Sequence, residues 1–193
     1  MEDLQLVTLA RQGDAGAFAE LVERYQTPIF NLAYRMLGNP KDAEDAAQEA
    51  FLRAYARLKT FRAGEKFSTW LLAIAAHYCI DKLRRRRFQW LSLDDDAPWT
   101  DSLASEAPEP DAIYLRRESQ VEIEKLVERL APGNRLVIVL HYWYDLPLEQ
   151  IARITGDSVN SIKVKLFRAR RALARELQAA PAERSKTFRA AAL

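Results

Sequence analysis

The sequence is poor in the residues that build cross-links, tight turns and metal sites. It has one cysteine, two histidines and six glycines in 193 residues. A single cysteine excludes an intrachain disulfide and a cysteine-based zinc site, and we expect Cys79 to be a small apolar residue on a buried helix face. The low glycine content, with abundant alanine, leucine, arginine and glutamate, favours helix throughout.

Long apolar runs are also missing. A run such as residues 70–76 is closed by His77, Asp81 and Lys82, well short of the ~20 apolar residues that a membrane-spanning helix needs. Residues 1–3 lack the basic segment and apolar core that begin a signal peptide. We therefore expect a cytoplasmic protein without a membrane span.

Signatures of catalysis are absent as well. His77 and His141 lie in different halves of the chain, and the sequence contains no glycine-rich phosphate loop and no cluster with metal-ligand spacing. We expect no enzyme activity, no cofactor and no metal.

What the sequence does contain is helical periodicity in two blocks. Asp14 is a predicted N-cap, Gly38 a predicted helix end, and Pro28 a predicted kink or restart. Val137-Ile138-Val139 could belong to a buried strand, but the helical surroundings favour helix. The predicted helices cover residues 3–10, 15–37, 42–58 and 69–88 in the first block and 112–130, 135–144, 148–154 and 158–177 in the second.

The blocks are separated by residues 92–111, which carry seven acidic residues, three prolines and no basic residue. This composition is typical of a flexible linker. Alternatively, the segment imitates a nucleic-acid strand and occupies a basic groove until it is displaced. We thus predict an all-α protein with helical domains at residues 1–91 and 112–178, an acidic linker between them, and a disordered tail at 179–193.

Residues 146–173 predict a helix-turn-helix. Pro147 can open the first helix, Gly156 permits a tight turn, and Asp157 or Ser158 can cap the second helix. The second helix combines an apolar stripe with a basic surface and has no acidic residue between positions 158 and 175. Such a helix fits the DNA major groove.

The position of each residue on that helix suggests its contact. Residues near the helix N-terminus are expected to face base edges, and later basic residues are expected to meet phosphates. A solvated basic helix at a domain end is the alternative. The candidate DNA contacts are Ser158, Asn160, Ser161, Lys163, Lys165, Arg168, Arg170 and Arg171.

A second basic cluster closes the first block at residues 82–87, and aromatic residues precede it. Basic side chains suit a phosphate backbone, and aromatic side chains can stack on unpaired bases. The alternative is a solvated helix end beside ordinary core aromatics. The residues concerned are Phe61, Phe67, Trp70, Lys82, Arg84, Arg85, Arg86 and Arg87.

Three segments resemble motifs of the sigma-70 family of bacterial transcription initiation factors. DAEDAAQEAFLRAY at residues 42–55 resembles the family's region 2 signature, and FSTWLLAIA at 67–75 with DKLR at 81–84 is similar to its FxxWLxxIAxNxxxDxxR stretch. LEQIA at 148–152 through KVKLFRAR at 163–170 resembles the region 4 helix-turn-helix. The direct succession of regions 2 and 4 is typical of the extracytoplasmic-function (ECF) group.

The resemblance implies a factor that binds core RNA polymerase and directs it to promoters. It implies that Asp42, Asp45, Gln48, Glu49 and Phe51 dock on the clamp helices of the polymerase largest subunit. The C-terminal domain would contact the polymerase flap, and an anti-sigma factor would hold the protein inactive.

For DNA, the resemblance implies two sites. Residues 61–87 would melt the −10 element and capture a flipped base, with Arg62 and Lys66 added to the cluster above, and residues 158–171 would read the −35 element. Two departures from the family pattern occur: His77 replaces the usual Asn, and NSIKVK at 160–165 replaces the commoner GTVKSR, so that the bases read can differ. A helix-turn-helix regulator that acts without polymerase is the alternative function.

Overall fold

A computed structural model describes residues 1–62, 64–91 and 122–179, with the backbone alone at 87–91 and 179. The predicted linker at 92–111 and the predicted tail, apart from residue 179, lie outside the described residues. Within the described ranges the chain is helical and contains no strand, as the all-α prediction requires. The helices are α1 (Asp3–Arg11), α2 (Ala15–Leu37), α3 (Pro40–Ala56), α4 (Phe67–Leu91), α5 (residues 122–128), α6 (Pro132–Tyr142), α7 (Leu148–Thr155) and α8 (Val159–Ala179), with a 3-10 turn at Leu58–Thr60.

The ends of α2 follow from its capping residues. The Asp14 carboxylate accepts a hydrogen bond from the Ala17 amide at 3.0 Å, and Gly38 ends the helix in the left-handed region at φ 72°. Of the kink or restart predicted at Pro28, the restart is excluded, because α2 is one helix through that position; a kink stays a prediction. Proline removes only one N–H there, and burial of Ile29 and Leu32 immediately after it stabilises the continuing helix.

The N-terminal core lies where α2 packs against α1, α3 and α4. Leu6, Leu21, Met36 and Leu71 are fully buried in it. Cys79 is also fully buried and is a free thiol, which confirms the prediction of a core residue. Burial raises the pKa of this thiol to about 12, so it stays protonated and unreactive.

The apolar segment around Val137-Ile138-Val139 is helical, as predicted, and forms most of α6. Pro132 lies in the first turn of this helix and not at the end of the preceding one, because proline is tolerated where the amide has no helical partner. All six residues from Arg135 to Leu140 are buried, which explains why this stretch lacks the polar face of an ordinary surface helix.

The two halves of the chain pack against each other through α6. The Arg135 guanidinium, 3% exposed, donates from Nη1 to the Met36 carbonyl at the end of α2 at 2.6 Å. The Tyr144 hydroxyl donates to the Pro28 carbonyl, and the Arg35 guanidinium lies 5.3 Å from the centre of the Trp143 ring. Nothing in the sequence pattern predicts these contacts, and they leave the two halves with one continuous buried core.

Burial of the Arg135 side chain costs free energy, because it removes a cation from water. Burial lowers the pKa of its guanidinium to about 10, and its Nε has no hydrogen-bond partner. The compensation comes from the Met36 carbonyl, since the C-terminal end of a helix carries partial negative charge, and from the negative charge of Glu128 nearby.

We predict that Arg135→Ala loosens the packing of the two halves. The substitution leaves the buried Met36 carbonyl without its donor, at a cost of about 1–3 kcal/mol. The expected result is a lower thermal midpoint and a larger radius of gyration by small-angle X-ray scattering. Arg129→Ala is the control, because Arg129 forms an exposed pair with Glu176 at 2.8 Å; an equal effect of both variants would contradict the role of Arg135.

Candidate nucleic-acid and protein-binding surfaces

Helix α3 has a buried face of small residues and an exposed face of mixed character. Asn39 caps it by accepting from the Asp42 amide at 3.2 Å, and Ala43, Ala50 and Ala54 are fully buried. On the exposed side, spacings of three and four residues align one stripe along the helix. This α3 stripe consists of Asp45, Gln48, Leu52 and Tyr55.

The α3 stripe holds two large apolar side chains that sequence reasoning missed. Leu52 is 67% exposed and Tyr55 is 51% exposed. Tyr55 is held by an edge contact with Phe18, whose ring centre is 4.9 Å away. Their positions in the sequence could have indicated this exposure, since both residues lie off the inward alanine stripe of the helix.

The five residues assigned to polymerase docking lie in different environments. Asp45 and Gln48 are exposed in the α3 stripe, while Glu49 is half-buried and pairs with Arg53 at 2.7 Å. Phe51 belongs to the core at 8% exposure, so its side chain offers no docking surface in this conformation. An aromatic residue in a motif is conspicuous in sequence, but its helix position turns it inward.

Asp42 faces α4 and is neutralised there. Its carboxylate accepts hydrogen bonds from Lys82 at 2.8 Å and from Arg86. Burial alone raises the pKa of Asp42, but these two hydrogen bonds outweigh burial and hold the pKa below its ordinary value. The pairing therefore stabilises the fold above the ordinary carboxyl pKa of about 4 and is lost as the pH falls through the lowered value.

The basic cluster on α4 is consequently divided. Lys82 and Arg86 point to α3, whereas Arg84 and Arg85 are exposed. The Arg87 side chain lies outside the described part of the chain. Arg84 and Arg85 are thus the members of this cluster that face solvent.

The aromatic residues beside this cluster are mostly structural. Phe61 and Phe67 are 4% and 2% exposed, and their ring centres are 5.9 Å apart. Arg11 of α1 stabilises the segment from Leu58 to Phe61 by donating to the Leu58 carbonyl at 2.9 Å and to the Phe61 carbonyl. Neither phenylalanine presents a face on which a base could stack, whereas Trp70 is half-buried at the edge of the cluster.

An open depression lies next to these aromatics, between the segment after Phe61 and the start of α1. Among its lining residues, Lys66 is exposed, and Arg24 pairs with Asp3. Tyr25 also donates to Asp3; burial and this bond raise the pKa of Tyr25 to about 12. Arg62, exposed like Lys66, follows the lining residue Phe61 in sequence and is not itself part of the lining. The lining thus carries both signs of charge, with Arg24 and Lys66 beside the carboxylates of Glu2, Asp3 and Glu65.

The helix-turn-helix has the predicted elements. Helix α7 ends at Gly156 in the left-handed region, with φ 74°, and the Ser158 hydroxyl accepts from the Ser161 amide at 3.2 Å at the start of α8. Ile151 and Ile154 of α7 are fully buried together with Ile162 of α8. The turn is thereby held by an apolar contact on its inner side.

The candidate DNA contacts on α8 are mostly accessible. Asn160, Lys163, Arg168 and Arg171 are exposed, as is Ser158, while Ser161 is half-buried. Two of the basic residues are held by neighbours: Lys165 pairs with Asp157, and Arg170 donates from Nε to the Tyr142 hydroxyl at 2.9 Å. The sequence did not lead us to expect that Tyr142 binds Arg170. It also did not lead us to expect that two apolar residues of α8, Val164 and Phe167, are exposed.

Two families of known proteins match parts of the chain. Residues 21–89 match the family described as Sigma-70 region 2, and residues 120–173 match Sigma-70, region 4. The ECF RNA polymerase sigma factor SigW of Bacillus subtilis is 36% identical over 174 residues, which are 87% of this chain and 92% of SigW.

Solved structures share the fold. CnrH in complex with the cytosolic domain of CnrY is 24% identical, with a TM-score of 0.67 over 93% of this chain and 99% of that one. The sigma factor RpoE in complex with the anti-sigma factor NepR from Bartonella quintana is 22% identical, with a TM-score of 0.66 over 83% of this chain and 96% of that one. Among the described residues, no helix has the length and apolar character needed to cross a membrane.

We predict that Asp42→Asn makes binding to single-stranded DNA more sensitive to salt. The substitution frees Lys82 and Arg86 for phosphates, and each added phosphate contact increases the salt slope by about 0.7. The measurement is a titration of a labelled oligonucleotide at several salt concentrations. Asp45→Asn, which removes an exposed carboxylate from the same helix, is the control; an unchanged slope for Asp42→Asn would show that the cations remain engaged.

Proposed function

The chain belongs to the ECF RNA polymerase sigma factors, and we infer from this membership that it binds core RNA polymerase and directs initiation to promoters. The observation that carries this function is the presence of a region 2 fold and a region 4 helix-turn-helix in one chain. A helix-turn-helix regulator without polymerase is disfavoured, because residues 21–89 of the N-terminal half match Sigma-70 region 2.

The α3 stripe is our proposal for the polymerase-docking surface. Leu52 and Tyr55 supply apolar area, and Asp45 and Gln48 supply polar contacts beside it. Phe51 supports the helix from within, and Asp42 and Glu49 act through their pairs with α4 and Arg53. The proposal rests on exposure, since apolar side chains that stay in water in the free protein gain free energy when a partner covers them.

The proposed −10 surface combines the depression beside Phe61 with the exposed cations of α4. Arg84 and Arg85 would contact phosphates, and Arg62 and Lys66 would guide the displaced strand into the depression. Phe61 and Phe67 would shape this surface from beneath, leaving Trp70 as the aromatic residue at its edge. The −35 surface is the exposed side of α8.

Polymerisation itself belongs to the core enzyme, and we assign no catalytic step, metal or cofactor to this chain. Its site of action follows from its partners, which in a bacterium are in the cytoplasm. We also propose control by an anti-sigma factor, because RpoE with the same fold is bound to NepR. Contact of the C-terminal domain with the polymerase flap completes the proposed assembly, with residues 1–91 and 112–178 as its two working domains.

The direct test of the function is transcription in vitro. Purified chain and core polymerase should yield transcripts from specific promoters, and the same DNA should yield none with core polymerase alone. Tight promoter binding by the chain alone, together with no stimulation of transcription, would favour the regulator.

We predict that Leu52→Ala weakens binding to core polymerase in the absence of DNA. Burial of a leucine side chain contributes about 1.5–3 kcal/mol, so a loss of about tenfold or more in affinity is expected, with an unchanged thermal midpoint. Leu4→Ala is the matched control, since Leu4 is 53% exposed on α1. Equal affinities of the two variants would remove Leu52 from the docking surface.

We predict that the double variant Arg84→Ala, Arg85→Ala weakens binding to single-stranded promoter DNA and flattens its salt dependence. Two lost phosphate contacts correspond to a decrease in slope of about 1.4. Affinity for core polymerase should be retained, because neither residue belongs to the α3 stripe. Lys125→Ala, at an exposed position on α5, is the control, and a slope unchanged by the double variant would exclude the phosphate contacts.

A further inference from the structure

The outer side of α8 carries two exposed apolar residues among polar ones. Val164 is 46% exposed and Phe167 is 64% exposed, while Ile162, Leu166 and Ala169 on the opposite side are buried. Spacings of four, three and four residues place the outermost side chains in one line along the helix. This α8 stripe consists of Asn160, Val164, Phe167 and Arg171.

The surroundings of the α8 stripe indicate what covers it. Lys163, Arg168 and Arg171 are exposed around the apolar pair, and the chain has no acidic residue between positions 158 and 175. A partner for this face must therefore be anionic and must also offer apolar groups to Val164 and Phe167. The DNA major groove meets both conditions, because thymine presents a C5 methyl group between the phosphate backbones.

Val164 is a position at which the chain departs from the family pattern. It stands where the commoner GTVKSR pattern has a serine, so two methyl groups replace a hydroxyl at an outward position of the helix. Val164 also lies within the first half of α8, five residues after Val159, and this is the part of a recognition helix that reaches base edges.

We propose that Val164 is a specificity-determining residue that reads the C5 methyl of a thymine in the −35 element. This inference rests on the proposed function, in which α8 reads that element. Asn160 lies one helical turn earlier, about 6 Å along the helix, and offers an amide to a neighbouring base pair. Phe167 extends the apolar surface toward the sugar-phosphate side, and the flanking cations hold the helix in the groove.

The test removes the methyl group without changing the base pairing. Promoters are first selected from a random library by the holoenzyme of this chain with core polymerase. The selected −35 element is then synthesised with each thymine replaced in turn by deoxyuridine. One replacement should weaken holoenzyme binding about fourfold, the factor that corresponds to one buried methyl.

Variants of Val164, each tested with and without the deoxyuridine replacement, show whether Val164 is the residue that contacts this methyl group. In Val164→Ser the same deoxyuridine replacement should have no further effect, so that the two changes are not additive. Val164→Thr, which keeps one methyl, should retain part of the dependence. Lys163→Ala is the comparison: it should weaken binding while keeping the full fourfold effect of deoxyuridine.

Several outcomes would overturn the proposal. They are an equal deoxyuridine effect in wild type and Val164→Ser, the absence of any such effect in wild type, or a selected −35 element of G·C pairs alone. A Val164→Ser variant that assembles poorly with core polymerase without DNA would assign the α8 stripe to a protein partner. Failure of the proposed function is distinguishable, because the holoenzyme would then enrich no promoter sequence at all.

Discussion

The buried guanidinium of Arg135 is the contact on which the arrangement of the two halves depends. A cation removed from water must find compensating dipoles, and here the Met36 carbonyl at the end of α2 supplies one. Trp143 and Tyr144 also contact α2, and these contacts form in the same packing of the C-terminal half against α2. Because α7 also packs against α4, the helix-turn-helix and the basic cluster of α4 belong to one body in this structure.

In this arrangement the two proposed DNA surfaces differ in how many of their side chains are free to bind DNA. The α8 stripe is exposed, so that helix can enter a groove without rearrangement of its own side chains. The basic cluster of α4 is partly neutralised by Asp42, and α7 covers another side of the same helix. Contact of the proposed −10 surface with DNA would therefore compete with the pairs of Lys82 and Arg86 with Asp42. On the proposed −35 surface the same would hold for Lys165 and Arg170, which bind Asp157 and Tyr142, but not for the residues of the α8 stripe.

Much of the fold could be predicted from the sequence because its signals are local. Asp14 and Gly156 each act within a few residues of their own positions, so the composition of a short window identifies the cap or turn. The helical identity of residues 135–144 needed the all-helical context, because β-branched residues alone do not distinguish a buried strand from a buried helix. Predicted boundaries differ by one to three residues where proline or asparagine begins a helix, as at Asn39.

The candidate sites were less predictable, since residue type does not give orientation. Phe61 and Phe67 suit base stacking by chemistry but are needed in the core. Leu52 and Val164 are apolar and were assigned no surface role, although their helix positions point outward. A motif identifies which helix carries a function; only packing determines which of its side chains remain available.

The separation of Met36 and Arg135 along the chain has a consequence for biosynthesis. Arg135 follows Met36 by 99 residues, and Tyr144 follows Pro28 by 116. At roughly 5–20 residues per second, a ribosome needs about 5–20 s to complete the first of these intervals. During that delay the end of α2 exists without α6 to cover it. The order of translation therefore gives other proteins access to this end of the nascent chain before its own C-terminal helices can reach it.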